Sequence, residues 1–454
     1  MSEIRDTIYG FIEPYESELK IINTSLFQRL RRIKQLAMAY LVYPGANHTR
    51  FDHSLGVYHI TSLMAEKLLH GKVNKEKRNI VRLAALLHDI GHGPFSHVSE
   101  DILDKYSQIA NNNINNKNKI HEKIAVNLIE SDKELSKILS PNERDQIIGL
   151  LSGKSIDLSL MKEIVSGPID ADKQDYLLRD SHFCGVKYGI YDFHRLINTL
   201  AYYSEGEDKH IAVKFDGVNT LEQFVLAKYY MTTQVYRHKI RLVSDAMIIR
   251  GIELGIEKDE INWLRELYTY NNSENYLINY LNWYDERLIG EIVYNQKKGV
   301  AKEIFDRLHK RNLFKTVFSF KFKDLPETVS PQVKNLMADI CSKENNKRRV
   351  KMESDIAQLL DTRPEFTIVN SFTFKSVKEM SNSEGPIMII KKDEKIDSFE
   401  QESTVFRAID EKIKDKMFEI YTPMEYSNNL DKSEKLSKIK KDIIDYLSRE
   451  MKEV

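Results

Sequence analysis

The sequence predicts a mainly α-helical protein with a smaller mixed α+β lobe toward its C-terminal end. Glycine and proline are scarce in the 454 residues, at 18 and 10, and most apolar residues recur at the three- and four-residue spacing of helices. Short apolar segments bounded by turn residues appear late in the chain. We therefore expect a helical core in residues 1–255 and a helical and α+β lobe in residues 256–454.

The first region contains several helical patterns. One helix is expected to end near Gly71, and the helix before His88 is apolar on nearly all sides, which predicts burial. An asparagine-rich segment, residues 107–120, predicts a surface loop. The helical segments are Ile60–Leu68, Ile80–Leu87, Ile120–Leu128, one after Pro168, and a long one from about Leu221 to Leu254.

The later region mixes strand and helix signals. A charged amphipathic helix is predicted from Ser433 onward. Three short segments have the composition of strands: Phe366–Phe372, Pro386–Ile390 and Met417–Tyr421.

Composition excludes several classes of protein. Basic and acidic residues balance at 68 each, so no net charge favours nucleic acid or an anionic membrane. The two cysteines, Cys184 and Cys341, match neither a disulfide framework nor a thiolate zinc site. No apolar run approaches the ~20 residues that span a bilayer. We expect no membrane partner and a cytoplasmic location.

Histidine is concentrated between His48 and His97, which include seven of the 13 histidines. His88 and Asp89 end an apolar helix, where burying an imidazole and a carboxylate costs roughly several kcal/mol without compensation. A divalent transition metal such as Mn, Fe, Zn or Ni would provide it. The turn-forming residues Gly91 and Gly93 follow at once and end the helix.

A second polar group lies further along the chain. Asp172, Tyr176 and Asp180 are spaced at i, i+4 and i+8 and share one helix face. They predict either the wall of a polar cavity or a solvated face, to which Asp175 and Arg179 could belong.

The spacing of His88 and His92 also matches the two ligands of a helical zinc-protease motif. However, an aspartate occupies the position of the catalytic glutamate, and Gly91 and Gly93 would break the helix that must present both ligands. We therefore do not expect a metalloprotease.

These segments together resemble the HD superfamily, whose metal ligands follow the order H…HD…D. Within it the chain is similar to the deoxynucleoside triphosphate triphosphohydrolases of the sterile-alpha-motif-and-HD-domain type and their bacterial relatives. The resemblance covers roughly residues 1–250, and its C-terminal part is looser. The segments that carry it are Phe27–Leu36, Tyr43–Val57, Leu86–His97, His121–Glu122, Asp170–Asp180 and Tyr236–Lys239.

The resemblance implies a role for each matching residue. Glu100 stands where the close relatives carry aspartate, and His97 is expected to act as acid to the departing sugar oxygen. The implied metal ligands are His53, His88, Asp89 and Asp172, with Mg²⁺ as a possible second ion on the substrate phosphates. The implied catalytic residues are His92, His97, Glu100 and His121. The implied substrate-binding residues are Gln35, Leu36, Arg50, Lys173, Tyr176, Asp180, Tyr236 and His238.

The resemblance also implies a reaction and an assembly. The expected reaction splits a deoxynucleoside triphosphate into deoxynucleoside and inorganic triphosphate, and the expected assembly is a homotetramer with a nucleotide activator. Gln28 and Arg31 of the activator site are retained and are expected to share one helix face with Gln35, whereas Asn23 replaces a short acidic side chain. The alternatives are an HD-type phosphatase or phosphodiesterase acting on nucleoside monophosphates or signalling nucleotides, and an inactive regulatory module.

Overall fold

A computed structural model shows that the chain is mainly α-helical, as the sequence predicts. It describes residues 3–71, 74–108, 119–153, 159–322, 331–342, 344–374, 385–408, 415–423, 437–438 and 441–446.

The longest helix of the first half is α3. The helices of this half are α1 (Glu16–Ile22), α2 (Ser25–Gln28), α3 (Arg50–Leu68), α4 (Lys75–Leu87), α5 (Glu100–Tyr106), α6 (Ile120–Ser131), α7 (Leu135–Ile138), α8 (Pro141–Ser152), α9 (Ser159–Val165), α10 (Ala171–Cys184) and α11 (Phe193–Thr199).

The helices of the second half are α12 (Val218–Tyr230), α13 (Lys239–Glu257), α14 (Asn262–Tyr268), α15 (Glu274–Leu281), α16 (Asp285–Gly290), α17 (Val300–His309), α18 (Pro331–Ala338), α19 (Asn346–Leu359), α20 (Phe399–Glu402) and α21 (Thr404–Ala408). Short 3₁₀ turns cover Arg29–Arg32, Ala39–Leu41, Ser96–Ser99, Phe215–Gly217 and Pro364–Phe366, and π-helical turns cover Met231–Tyr236 and Glu291–Asn295.

The strands form three small sheets. A hairpin pairs the first two strands, the third and fourth pair antiparallel and extend to the seventh and eighth, and the ninth lies between the fifth and sixth. The strands are β1 (Ile4–Asp6), β2 (Gly10–Ile12), β3 (Leu200–Glu205), β4 (Asp208–Lys214), β5 (Lys315–Lys321), β6 (Ile368–Phe374), β7 (Met388–Ile390), β8 (Ile396–Ser398) and β9 (Asp415–Thr422).

Most predicted elements are confirmed. The four shorter helices predicted in the first region correspond to α3, α4, α6 and α10, and the three late strand segments overlap β6, β7 and β9. Most of the asparagine-rich segment lies outside the described residues. So does most of the tail from Ser433, but its described residues 441–446 are helical, as predicted.

Two expectations about the first region were wrong. It is not all-helical, because it contains two antiparallel strand pairs, β1–β2 and β3–β4. The turn between β3 and β4 contains Gly206, which has φ +64°. The helix expected from Leu221 to Leu254 is broken: the extended backbone of His238 (ψ 131°) precedes α13. Neither glycine nor proline marks that break, so the apolar periodicity runs through it unaltered.

The chain divides into two compact units that are not contiguous in sequence. The first comprises Met1–Tyr236, Asn262–Gly290 and Val377–Ile409, and the second comprises Arg237–Ile261, Glu291–Ser376 and Asp410–Val454. The domain boundary predicted at residue 255 falls within α13. It differs from the division into compact units and remains a prediction.

The first unit is organised around α3, which packs against α4 and α10. Val57, Ile60 and Met64 of α3 are fully buried, as are Leu86 and Leu87 of α4. No helix in the described part of the chain is both long and apolar enough to cross a bilayer.

Candidate metal centre and active site

Helices α3 and α10 and the end of α4 bring four predicted metal ligands together. His53 Nε2 lies 2.9 Å from Asp172 Oδ1 and 3.7 Å from Asp89 Oδ2. His88 Nε2 lies 3.2 Å from Asp89 Oδ1 and 4.0 Å from Asp172 Oδ1. Two imidazole nitrogens and two carboxylates therefore face one small volume.

The donor atoms of this group fit a divalent metal. The Nδ1–H of His88 donates to the Ala85 carbonyl at 2.7 Å, which leaves Nε2 as the nitrogen that can bind an ion. That Nε2 is buried and has no hydrogen-bond partner among the described residues. A buried nitrogen without a partner is costly, and a bound cation would remove the cost. Imidazole with carboxylate suits Mn, Fe, Zn or Ni.

Charges around the group keep its carboxylates ionised. Burial raises the pKa of Asp89, but the neighbouring Arg50 and His88 outweigh it and hold that pKa well below its usual range. Burial lowers the pKa of His53, but hydrogen bonds to Asp172 and Asp175 outweigh it and raise that pKa to about 10.

A second group of titratable side chains adjoins the first and converges on one carboxylate oxygen. Glu100 Oε1 lies 2.8 Å from His97 Nδ1, 2.6 Å from His121 Nδ1 and 3.3 Å from His92 Nδ1. The rings of His92 and His121 stack at 4.0 Å. His92 Nε2 also lies 3.4 Å from Asp89 Oδ1, which joins the two groups.

The second group contains both buried and accessible members. The His92 side chain is 1% exposed and that of His97 is 53% exposed. Burial, together with Arg50 and His121, lowers the pKa of His92 well below its usual range, so this ring is neutral. Burial raises the pKa of Glu100, but hydrogen bonds from His121 and His97 outweigh it and lower that pKa.

Gly91 explains how α6 brings His121 so close. A Cβ atom at Gly91 would lie 2.0 Å from the His121 carbonyl oxygen and 2.6 Å from the Ala125 nitrogen. Only glycine leaves room for the two backbones to approach. Gly91 therefore positions His121 as well as ending the helix before it.

Arg50 connects the metal group to the loop between His92 and His97. Its Nη1 donates to Asp89 Oδ2 at 2.7 Å and its Nε donates to Ser96 Oγ at 3.0 Å. Its Nη2 is buried without a hydrogen-bond partner in the described chain. A guanidinium nitrogen in that state can receive an anionic oxygen.

Lys173, predicted to contact phosphate, is turned elsewhere. Its ammonium donates to Asp170 Oδ2 at 2.6 Å and to the Gly167 carbonyl at 3.0 Å. Tyr176 lies on the same helix with its ring 6.1 Å from that of Tyr236.

The residues predicted to meet the sugar gather around Asp180. Its carboxylate accepts hydrogen bonds from His48 Nε2 at 2.8 Å and from the Tyr236 hydroxyl at 2.6 Å. Leu36 packs in a small apolar cluster that Tyr236 adjoins. Gln35 is bound through its backbone to the His48 carbonyl, and its side-chain oxygen is buried without a partner among the described residues. His48 was not assigned from the sequence, although it lies within the histidine-rich region.

The remaining predicted residues make other contacts. His238 belongs to the second unit, where its Nδ1 accepts from the Ile240 backbone N–H and caps α13. Gln28 and Arg31 are hydrogen-bonded to each other at 2.8 Å, and Asn23 follows α1. The expectation that Gln35 shares their helix face was wrong, because the helical turns end at Ile33.

The solvated-face interpretation of Asp175 and Arg179 was also wrong, since both are buried. Asp175 Oδ2 accepts from His53 Nδ1 at 2.8 Å, and Oδ1 accepts from the Tyr9 hydroxyl at 2.8 Å. Arg179 bonds both oxygens of Asp175. A signal existed in the sequence: Gly56 lies mid-helix, three residues after His53, and a Cβ there would come within 1.9 Å of Asp175 Oδ1.

The chain matches two known sequence families. The HD domain matches residues 50–179, and the HD associated region matches residues 191–442. The first match runs from the start of α3 into α10 and includes all four residues of the metal group.

Similar proteins and structures agree with these matches. An uncharacterized protein of Methanocaldococcus jannaschii is 33% identical over 326 residues, which cover 72% of this chain and 61% of that protein. The human deoxynucleoside triphosphate triphosphohydrolase SAMHD1 is 30% identical over 351 residues, which cover 70% of this chain and 55% of SAMHD1. The chain thus spans little more than half the length of these relatives.

Among solved structures, a phosphohydrolase from Bacteroides thetaiotaomicron superposes with a TM-score of 0.72 at 25% identity, covering 93% of this chain and 99% of that one. A hypothetical protein from Aquifex aeolicus gives a TM-score of 0.70 at 27% identity, covering 97% and 99%. The chain belongs to the family of HD-domain proteins that carry the HD associated region.

Proposed function

We propose that this protein is a metal-dependent phosphohydrolase that cleaves deoxynucleoside triphosphates to deoxynucleoside and inorganic triphosphate. The observation that carries the proposal is that the two groups adjoin. His92, one of the three imidazoles around Glu100, lies 3.4 Å from Asp89 of the His/Asp group that fits a metal. Such an arrangement can bind a phosphate and exchange a proton beside it.

His53, His88, Asp89 and Asp172 would hold the metal, and Mg²⁺ would accompany the substrate phosphates. When bound, a transition metal polarises a phosphoryl oxygen and lowers the pKa of water to near neutrality. Arg50 supports the same site, because its unpartnered Nη2 can bind a phosphate oxygen while Nη1 stays on Asp89. Lys173 reaches a phosphate once its ammonium leaves Asp170.

His97 is the acid in this proposal. The sugar alkoxide is a poor leaving group and needs a proton. Glu100 accepts from His97 Nδ1, so the opposite nitrogen, Nε2, is left to carry the proton to the sugar oxygen. Both ring nitrogens of His92 are buried without a hydrogen-bond partner in the described chain, and His92 and His121 would bind phosphate or order water.

A deoxyribose pocket follows from the residues around Asp180. Gln35 and Asp180 would bind the 3′-hydroxyl, while Leu36, Tyr176 and Tyr236 crowd the sugar. A 2′-hydroxyl buried there without a partner costs about 1–3 kcal/mol, which corresponds to a preference for deoxyribose of roughly 5- to 150-fold. The name of the human relative, a deoxynucleoside triphosphate triphosphohydrolase, supports this substrate class. A substrate-binding role for His238, activation by a nucleotide and assembly into a homotetramer remain predictions.

Chromatography of the products tests the proposal. Metal-loaded protein is incubated with each deoxynucleoside triphosphate, its ribose counterpart, a deoxynucleoside monophosphate and a cyclic dinucleotide, with the Asp89→Ala variant as control. We expect deoxynucleoside and triphosphate in equal amounts from the first class only. Orthophosphate from the monophosphate, or opening of the cyclic dinucleotide, would instead favour a phosphatase or a phosphodiesterase. Equal specificity constants for deoxyribose and ribose would refute the sugar pocket.

A further inference from the structure

The loop between His92 and His97 contains two adjacent residues in the left-handed backbone conformation, which is disfavoured for residues other than glycine. Phe95 has φ +64° and Ser96 has φ +53°, and neither is glycine. Such backbone costs of the order of 1–3 kcal/mol per residue and persists only where neighbouring groups hold it. Phe95 and Ser96 are both buried, so contacts inside the protein must hold this turn.

The carboxylate of Asp285 supplies one of these contacts from far along the chain. Asp285 is 3% exposed; its Oδ1 accepts from the Phe95 backbone N–H at 2.8 Å, and its Oδ2 accepts from the Lys34 backbone N–H at 2.9 Å. Lys34 immediately precedes Gln35 of the predicted sugar pocket. One carboxylate thus joins the strained loop to the segment beside that pocket.

Further hydrogen bonds lead from this joint to the metal group. The Ser96 hydroxyl donates to the Lys34 carbonyl at 2.8 Å and accepts from Arg50 Nε at 3.0 Å. Arg50 in turn donates to Asp89 at 2.7 Å. A shift of the turn at Phe95 would therefore move the guanidinium that contacts Asp89 and that is proposed to bind a phosphate oxygen.

We propose that Asp285 is a positioning residue that holds the Phe95–Ser96 turn, and through Ser96 the Arg50 guanidinium, in the geometry needed for phosphoryl chemistry. This inference rests on the proposed function. Asp285 lies outside the matched HD domain and contacts none of the four metal-group residues, so it acts on turnover rather than on metal binding.

The test compares Asp285→Asn with Glu286→Gln. The first removes the charge and gives an N–H group where an acceptor is needed. The second removes only the ion pair between Lys34 Nζ and the exposed Glu286 at 2.8 Å. Burial raises the pKa of Asp285 to about 6, so the assays are run at about pH 8, where the native carboxylate is ionised.

For Asp285→Asn we expect kcat to fall about 10- to 100-fold, KM to change less than about 3-fold, and metal content to stay at the wild-type value. Amide hydrogen exchange should quicken at Phe95 and Lys34 but not in α3 or α10. Glu286→Gln should keep kcat within about 2-fold. A wild-type kcat in Asp285→Asn, or exchange that quickens equally throughout the first unit, would overturn the proposal.

Ser96→Ala provides a second route if Asp285→Asn does not fold. It removes the hydroxyl between Lys34 and Arg50 and leaves Asp285 untouched, and we expect kcat to fall about 10-fold at constant metal content. An unchanged kcat there would also overturn the proposal. The hydrogen-exchange experiment needs no substrate, so it tests the role of Asp285 at the turn independently of the reaction. Absence of triphosphate release from the wild-type protein would contradict only the proposed function.

Discussion

The two histidine groups use the same chemistry but differ in how they are held. In the metal group His53 is fully buried, and each of its ring nitrogens lies against a carboxylate. In the Glu100 group a single oxygen serves three imidazoles, one of which is half exposed. A closed site with fixed donors suits the retention of an ion, whereas a shared acceptor near solvent suits proton exchange with an arriving ligand.

The surroundings of each group repeat this contrast. Behind His53 stand Asp175, Arg179, Asp6 and Tyr9, all bonded to one another through Asp175 and Arg179. Behind Glu100 there is no comparable set of ionic contacts in the described residues; its known partners are the histidines themselves. We therefore expect changes in the first group to alter metal content and changes in the second to alter turnover.

The largest effect is expected from Asp89→Ala. Asp89 faces both histidines of the metal group and Arg50, so its loss removes a proposed ligand and leaves a buried guanidinium without its carboxylate. Bound metal, measured by plasma mass spectrometry, should fall to background and hydrolysis should be abolished. Asp145→Ala, at an exposed position in α8, is the matched control. Wild-type metal content in Asp89→Ala would refute the assignment of this group.

His97→Ala should separate turnover from metal binding. Loss of a general acid typically lowers the rate about 10²- to 10⁴-fold, while the metal group stays intact because His97 does not contact it. Rapid-quench measurement of kcat beside metal analysis checks both, with His70→Ala at an exposed position as control. A loss of about 10-fold or less would move the acid role to His92 or His121.

Asp175→Asn should weaken metal binding more than it slows the metal-loaded enzyme. Removing a carboxylate that orients a metal-binding histidine typically costs about 10- to 100-fold in affinity. Equilibrium dialysis against a metal buffer measures that loss, and kcat should recover at saturating metal. Asp145→Asn is the control. An unchanged dissociation constant would mean that Asp175 serves only the packing of α10 on α3.

The sequence predicted that the four side chains of the metal group lie together because His88 and Asp89 end a helix with clear apolar periodicity and the family resemblance implied His53 and Asp172. Their role as metal ligands stays a prediction. His88 and Asp89 lie at the end of α4, and the structure places His53 and Asp172 beside them. An imidazole and a carboxylate are unusual at the buried end of an apolar helix, so His88 and Asp89 could be singled out from the sequence alone.

The supporting residues could not be predicted in the same way. Asp175 and Arg179 look like any charged pair on a helix, and their burial depends on the tertiary contact of α10 with α3 at His53 and Gly56. Asp285 lies 190 positions from Phe95, and no local pattern connects them. The ammonium of Lys173 has a nearer acceptor in Asp170, three residues before it, and this local competition decides its direction.

The smallest effect concerns the pH dependence of stability. The pKa of Glu100 is lowered in the folded protein because His121 and His97 hydrogen-bond its charged form, despite burial. An unfolded glutamate titrates near about 4.3. The stabilisation is therefore fully present above that value and is lost as the pH falls below it, since the unfolded chain then takes up a proton that the folded chain does not.

Glu100→Gln should remove this contribution, so it should lower the free energy of unfolding at about pH 6 by roughly 1.5–3 kcal/mol, the range for hydrogen bonds to a charged group. The difference from wild type should shrink toward about pH 3.5, below the unfolded pKa. Urea unfolding of the metal-free proteins at both pH values measures it, with Glu130→Gln at an exposed position of α6 as control. A difference that stays constant with pH would mean that Glu100 contributes packing rather than charge. The Glu100 group would then differ from the metal group in its exposure but not in its electrostatics.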